Sequence, residues 1–314
     1  MKTVSFEFHQ DETIRDGIRR VLRKQLKSAL ESLRGGESDS VDERVHSVRK
    51  NFKRVRATVR LVRDAIGEST YRSVNESIRD AGRPLSDVRD AKVLVEALNK
   101  LKKCAGDADG EMPFDAAQEK LTAHQREVRE RVLQDGHAFA SISAVIEKIL
   151  EQLDDWTDIP NRWATLGKGI KNVYRSNRKA FDDANSDGST ENLHEWRKQV
   201  KYLRYQLELI APTWPAVVGK LVGQAKETGD LLGDDHDLAV LRGLLTETDG
   251  DASPTTKMNS IAELIDRRRE KLQSKAIAKG ELLYRDRPKQ FAQRLKSYWQ
   301  KWPNDSKRRL AASG

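Results

Sequence analysis

Apolar residues recur along most of this 314-residue chain at steps of three and four, with few runs that alternate at every second position. That period places one face of an α-helix on a core and leaves the other to solvent, so the pattern predicts an all-α protein. The clearest stretch runs from about Asp11 to Arg34, where Ile14, Ile18, Val21, Leu22, Leu26, Ala29, Leu30 and Leu33 keep the period and Gly35-Gly36 ends it. Ser40, followed three residues later by Glu43, reads as a capping box that opens a helix reaching about Ile66. Its apolar side is Val41, Val45, Val48, Phe52, Val55, Val59 and Val62. A helix from about Ser69 meets Pro84, which lacks a backbone N–H and breaks or kinks it; the pattern resumes from Leu85 to Lys103. Asp115 to Trp156 reads as one long helix bent near Gly136.

Beyond Asp158-Ile159-Pro160 the same order of events returns: a helix from about Asn161 to Asp183, a polar loop, a helix to about Ile210 and a break at Pro212 to Pro215. Two helical pieces are expected to flank Gly229 to Gly233, followed by a helix to about Asp286 and a last one from Pro288 to Lys301. Val4 to Phe8 alternates briefly, as a short strand or an arm. The expected organisation is an arm over 1–10, helical halves over 11–158 and 159–303, and a basic tail over 304–314.

The two halves share more than a helix order. Gly17-Ile18-Arg19-Arg20-Val21-Leu22-Arg23 answers Gly169-Ile170-Lys171-Asn172-Val173-Tyr174-Arg175. His46, Arg49, Lys50, Lys53 and Arg56 repeat as His194, Arg197, Lys198, Lys201 and Arg204, both sets fitting His-x-x-Arg-Lys-x-x-Lys-x-x-Arg. Asp87 and Asp90 answer Asp234 and Asp237. Measured from Gly17 to Gly169, His46 to His194 and Asp87 to Asp234, the displacements are 152, 148 and 147 residues, which predicts an internal duplication related by a pseudo-twofold axis.

Those repeats are cationic. At about 100° per residue, offsets of 0, 3, 4, 7 and 10 stay on one helix face, so each copy presents a histidine and four cations as a stripe that Arg60 lengthens in the first half. Arg19, Arg23 and Lys27, with Arg20 beside them, form a second stripe on the first helix, and Lys171, Arg175 and Lys179 form its counterpart. If each such helix packs beside its neighbour, four stripes converge between the halves. Like charges 4 Å apart repel by ~1 kcal/mol even in water, so convergence calls for a dense external anion. The stripe from His46 to Arg60 is about 21 Å long, which suits an extended anion.

Composition narrows the alternatives. The net charge of +9 comes from 58 basic and 49 acidic residues, a mild excess that makes the clustering the informative feature. Cys104 is the only cysteine, which excludes an intrachain disulfide and a Cys-x-x-Cys metal site and fits a reducing, cytoplasmic setting. No stretch approaches the ~20 apolar residues of a membrane span. Asp87, Asp90, Asp234 and Asp237 are expected to cap helices or pair with the motif arginines; a metal-dependent enzyme would instead use them, with the histidines, to hold a divalent ion. The stripes would also neutralise nucleic-acid phosphates, but aromatic residues interleave with them in one copy alone, as Trp196, Tyr202 and Tyr205, a poor platform for stacking bases.

At the two His-x-x-Arg segments, together with LSDVRDAKVLV and LLGDDHDLAVL, the chain resembles the CHAD family, the conserved histidine α-helical domain. The resemblance extends from about Asp11 to about Lys301 and puts the family's basic positions on Arg49, Lys53, Arg54, Arg56, Arg197, Lys201 and Arg204, with its histidines on His46 and His194. It implies two four-helix bundles in pseudo-twofold relation around a basic groove or pore that binds inorganic polyphosphate, without catalysis, metal or cofactor. It also implies association with polyphosphate granules and their proteins. About ten residues precede the first helix, too few for the catalytic triphosphate-tunnel domain that some relatives carry there. Arg89 stands where the second half has His236, which weakens a symmetrical metal site.

Overall fold

The computed structural model describes residues 6–35, 40–105, 114–133, 137–246 and 256–302. Among them lie twelve α-helices and no strand. In chain order these are α1 (Ile14–Arg34), α2 (Val41–Leu61), α3 (Arg63–Ile66), α4 (Glu68–Ala81), α5 (Arg83–Cys104), α6 (Phe114–Leu133), α7 (His137–Gln152), α8 (Trp163–Ser186), α9 (Thr190–Ile210), α10 (Pro215–Thr246), α11 (Thr256–Leu283) and α12 (Pro288–Lys301). The all-α expectation holds.

Local chemistry sets the helix starts. Thr13 caps α1 by accepting from the Asp16 N–H at 3.1 Å. Ser40 and Glu43 make the expected box on α2: the Glu43 N–H donates to Ser40 Oγ at 3.3 Å, and the Ser40 N–H to Glu43 Oε2 at 3.1 Å. All eight apolar positions expected on α1 are buried, as are Val45, Val48, Phe52, Val55, Val59 and Val62 of the α2 region.

Two cores result. The larger is built by α1, α2, α4, α7, α8, α9, α12, the first parts of α5 and α10, and the later parts of α6 and α11. The smaller gathers Leu94, Leu98 and Leu101 of α5, Phe114 and Leu121 of α6, Leu238 and Leu241 of α10, and Ile261 and Ile265 of α11. Helices α5 and α10 belong to both, and their inner faces meet α2 and α9 where the cores join.

Several expectations need correcting. The stretch 115–156 holds α6 and α7 on either side of residues 134–136, so the bend expected near Gly136 lies outside the described residues, and the helix gives way to a 3-10 turn at Leu153–Asp155 before Trp156. Helix α2 ends at Leu61 rather than Ile66, where Val62 leaves helical geometry at φ −105°, ψ 15° and the short α3 follows. The chain also runs unbroken through Gly229 and Gly233 as α10. Gly229 is a contact rather than a break: a β-carbon there would lie 3.0 Å from Val200 Cγ1 of α9. The segment near Phe8 is an arm. Its Phe8 N–H donates to the Leu209 carbonyl at 2.8 Å, and Phe6 and Phe8 are buried edge-on against Tyr205 and Trp299. The loop expected at 248–254 and the tail at 304–314 lie outside the described residues.

The motif helix α9 is fixed from behind by a buried chain of hydrogen bonds. Trp196 Nε1 donates to the Tyr284 hydroxyl at 2.9 Å, which donates to Asn177 Oδ1 of α8 at 3.0 Å. Tyr174 stacks on Phe291 of α12 with ring centroids 3.9 Å apart. Helix α9 meets α2 through Gln206, whose amide donates to the Ala57 carbonyl at 3.3 Å, and through Tyr202 under Arg60, and its basic face lies beside that contact.

Helix α8 crosses the end of α2 at Gly169, where a β-carbon would sit 2.0 Å from the Leu61 carbonyl oxygen. Gly169→Ala is therefore expected to destabilise the fold by about 1–3 kcal/mol through overpacking, outweighing the ~1 kcal/mol helix-propensity gain. Gly223→Ala, inside α10 with nothing within 4 Å of the new methyl, is expected to stabilise by up to ~1 kcal/mol. Urea unfolding of both variants checks the contrast.

Candidate anion-binding cleft

Helices α2 and α9 pack against each other with their motif faces turned toward α5 and α10. Between the four lies a cleft of about 310 Å³. Arg49, Lys53 and Arg56 enter it from α2, and His194, Arg197, Lys198 and Lys201 from α9. Asp90 and Asp237 face them from α5 and α10. Six cations thus line the cleft against two carboxylates.

The ion pairs follow the repeat. Arg49 Nη2 lies 3.4 Å from Asp90 Oδ1, and Arg197 Nη2 lies 3.8 Å from Asp237 Oδ1. Both are loose contacts that leave most donor positions free. The Nε–H of Arg197 is buried without an acceptor among the described residues, an arrangement that costs roughly 1–3 kcal/mol unless something arrives to accept.

The lysines between these pairs bear the greatest strain. Burial pushes the Lys53 ammonium down to about 8, and repulsion from Arg49 and Arg197 adds to the effect. Lys201 is driven well below its usual value by burial, then by Arg197 and Lys53. Burial raises the Asp237 carboxyl against the pull of Arg197. These directions describe one state, a partly desolvated positive cluster without enough negative charge around it.

His194 and His236 meet at the rim, with their Nδ1 atoms 3.4 Å apart. Burial, followed by the Arg197 charge, holds His236 down at about 4, and His194 is lowered by the same two causes. At neutral pH they are uncharged, so one donates to the other. His46 is also lowered, by burial and then by Arg89, but it does not line this cleft. Arg89, at the place His236 takes in the second half, points to Glu96 at 3.2 Å.

The four aspartates do not cap helices. Gly82 precedes α5 with no side-chain cap, and Asp234 and Asp237 lie in the middle of α10 because that helix never breaks. Asp90 and Asp237 pair with the motif arginines as expected, Asp234 binds Lys100 Nζ at 3.0 Å, and Asp87 is exposed. Asp235, between two of the candidates, is almost wholly buried and holds α11 through Arg269 at 3.0 Å and Gln273 at 2.8 Å. Among the described residues no three His, Cys, Asp or Glu side chains are grouped to hold a metal ion, and no helix is long and apolar enough to cross a membrane.

The four stripes do not converge. Buried positions Ile14, Ile18, Val21, Leu22, Gln25 and Leu26 turn α1 inward and leave Arg19, Arg20, Arg23 and Lys27 on the opposite face. There they line a separate shallow groove. Arg19 and Arg23 share Asp154 at 2.7 and 2.6 Å, and Arg20 grips Glu12. On α8, Lys171, Arg175 and Lys179 lie outside the cleft, and Lys179 pairs with Asp183 at 2.7 Å. Within the motifs, Lys50 sits beside Arg54, Glu208 and Arg204 rather than in the cleft, and Arg204 is held by Glu208 at 2.7 Å. Arg60 stacks over Tyr202 at 4.3 Å.

Some cleft residues carry no charge pattern to mark them. Val93 and Leu94 of α5, Val240 of α10, and Tyr202 and Tyr205 of α9 complete the lining. Their common signal is position: Val93 and Val240 each lie three residues beyond the aspartate that pairs with a motif arginine.

Comparisons with known proteins agree with this architecture. The model of the CHAD domain family matches residues 20–246, and the chain belongs to that family. A search of curated proteins found no match. Among solved structures, PptA from Streptomyces chartreusis is similar with a TM-score of 0.59 and 15% identity over 92% of this chain and 100% of that one. The CHAD domain from the plant Ricinus communis gives a TM-score of 0.62 at 16% identity, over 88% of this chain and 90% of that one. At such identities the likeness is one of fold.

The Lys53 shift has a sign that solution measurements read. Unfolded, Lys53 titrates near 10.5; folded, near 8. Below pH 8 both states hold the proton, and between these values the unfolded chain holds more, so stability of the free protein rises with pH across that window. The expected gain is about 2 kcal/mol from pH 8 to pH 9.5, and Lys53→Met should remove it in chemical denaturation series at the two pH values. An undiminished rise in that variant would mean that Lys53 carries its charge without penalty.

Proposed function

We propose that this protein binds inorganic polyphosphate without catalysis, in the cleft between α2, α9, α5 and α10. The observation that carries the reading is the placement of Lys53 and Lys201, largely desolvated beside Arg49 and Arg197, in a cleft to which Asp90 and Asp237 bring the carboxylates of the lining. A chain of phosphates supplies the missing negative charge. Arg49 and Arg197 offer forked donors, and the lysines act as point charges tolerant of register along a repeating anion. The narrow, unbranched chain reaches ammonium groups that a duplex, with its phosphates on the outside of a wide cylinder, meets only at the rim.

In this reading the two halves are a duplicated pair of helical bundles, and Arg49, Lys53 and Asp90 are the pseudo-twofold mates of Arg197, Lys201 and Asp237. Of His194 and His236, neutral at the rim, the one whose N–H is not spent on the other donates to a phosphate oxygen. Arg56 and Lys198 extend the path outward. Arg19, Arg20, Arg23 and Lys27 on α1, Lys171, Arg175 and Lys179 on α8, and Lys50, Arg60 and Arg204 serve as outlying positive charge that draws a long chain in, with His46 among them as an uncharged donor. The polymer would bring the protein to polyphosphate granules.

The test compares long-chain polyphosphate, pyrophosphate, duplex DNA and RNA by calorimetry over a salt series, with phosphate release followed with and without magnesium. Arg197→Ala combined with Lys201→Ala is expected to weaken polyphosphate binding by about 100-fold or more, since hydrogen bonds to charged groups are worth roughly 1.5–3 kcal/mol each. Arg175→Ala combined with Lys179→Ala should change it by less than about threefold, as expected of screened surface charges. DNA binding equal to that of polyphosphate at matched phosphate would overturn the reading, and magnesium-dependent phosphate release would replace it with a hydrolase.

A further inference from the structure

The cleft has three chemical zones in a fixed order. Its floor, at the contact of α2 and α9, carries Arg49, Lys53, Arg197 and Lys201. Next come the carboxylates Asp90 and Asp237, one on each facing wall. One helical turn further along each wall stand Val93 and Val240, three residues being about 4.5 Å along the axis. Val93 is half-buried and Val240 is 42% exposed, and both line the cleft. Leu94, behind Val93, makes the apolar zone continuous with the smaller core.

An inorganic phosphate chain uses the first zone alone. It has no donors for the carboxylates at neutral pH, and every atom it presents is polar, so the valines beside it remain wet. A ligand that satisfies all three zones carries, in sequence, a compact run of phosphates, a body with hydroxyl donors, and a flat apolar group. We infer that the cleft takes a nucleoside oligophosphate, with phosphates on the floor, ribose hydroxyls donating to Asp90 and Asp237, and the base between Val93 and Val240. This rests on the reading of the floor as a phosphate site. The volume of about 310 Å³ is at the lower end of small-molecule sites and gives no room for a long acyl tail.

Calorimetry on the full chain at one pH and salt, without divalent ions, tests this with adenosine triphosphate, tripolyphosphate and adenosine. Adenosine triphosphate is expected to bind at least tenfold more tightly than tripolyphosphate, which has the same three phosphates and no nucleoside. Val93→Ser combined with Val240→Ser should bring the two affinities level by weakening the nucleotide alone, with an unchanged melting temperature showing that the fold is intact. Lys201→Ala should weaken both. Tripolyphosphate binding as tightly as the nucleotide, or a nucleotide preference that survives the double serine change, overturns the inference while leaving phosphate binding in place. Failure of both triphosphates and of long-chain polyphosphate to bind overturns the phosphate reading beneath it as well.

Discussion

The contact between α2 and α9 is the constraint on which the rest of the molecule depends. It brings the basic faces of two helices together, which Coulomb repulsion alone would oppose. The opposition is overcome from behind. Trp196, Val200, Leu203 and Leu207 bury the other side of α9, and Val48, Phe52, Val55 and Val59 do the same for α2. Burial worth roughly 1.5–3 kcal/mol for each large apolar side chain outweighs a few close cation pairs. The cationic cluster is therefore held by the core, and its repulsion remains as an affinity for anions.

Helices α5 and α10 set how much of that repulsion stays. Each offers a single carboxylate to the cleft, at ion-pair distances of 3.4 and 3.8 Å. Shorter, bidentate pairs would have made the site a closed internal salt bridge, stable and inert. Elsewhere in the same protein cations are held more closely: Arg20 by both oxygens of Glu12, and Arg269 by the buried Asp235. The contrast marks the cleft as a place where neutralisation has been left incomplete.

Much of this was legible in the sequence. The period of apolar residues identified the helices and the buried side of α1, and the repeated His-x-x-Arg-Lys spacing singled out Arg49, Lys53, Arg197 and Lys201. Two kinds of error came from reading residues singly. Gly229 and Gly233 looked like a helix break, but a glycine also permits close helix approach, and its meaning depends on Val200, a residue 29 positions away that sequence period does not connect to it. Likewise the cations of α1 were expected to join those of α2, although a helix that buries Ile18, Leu22 and Gln25 must turn Arg19, Arg23 and Lys27 away. Val93 and Val240 gave no signal of their own, because a valine on a helix facing a cleft is spelled the same as one facing a core.

The arm that ends at Phe8 bears on how the chain reaches this state. Besides near neighbours such as Arg20 and Arg54, its partners include the Leu209 carbonyl and the Tyr205 and Trp299 rings, about 200 or more residues later in the chain. Contacts of such long sequence separation close late, after the loop entropy between them has been lost to other structure. Until α9 and α12 are in place, Phe6 and Phe8 lack the Tyr205 and Trp299 rings that complete their burial. Docking of this arm thus reports that α9 and α12 have assembled.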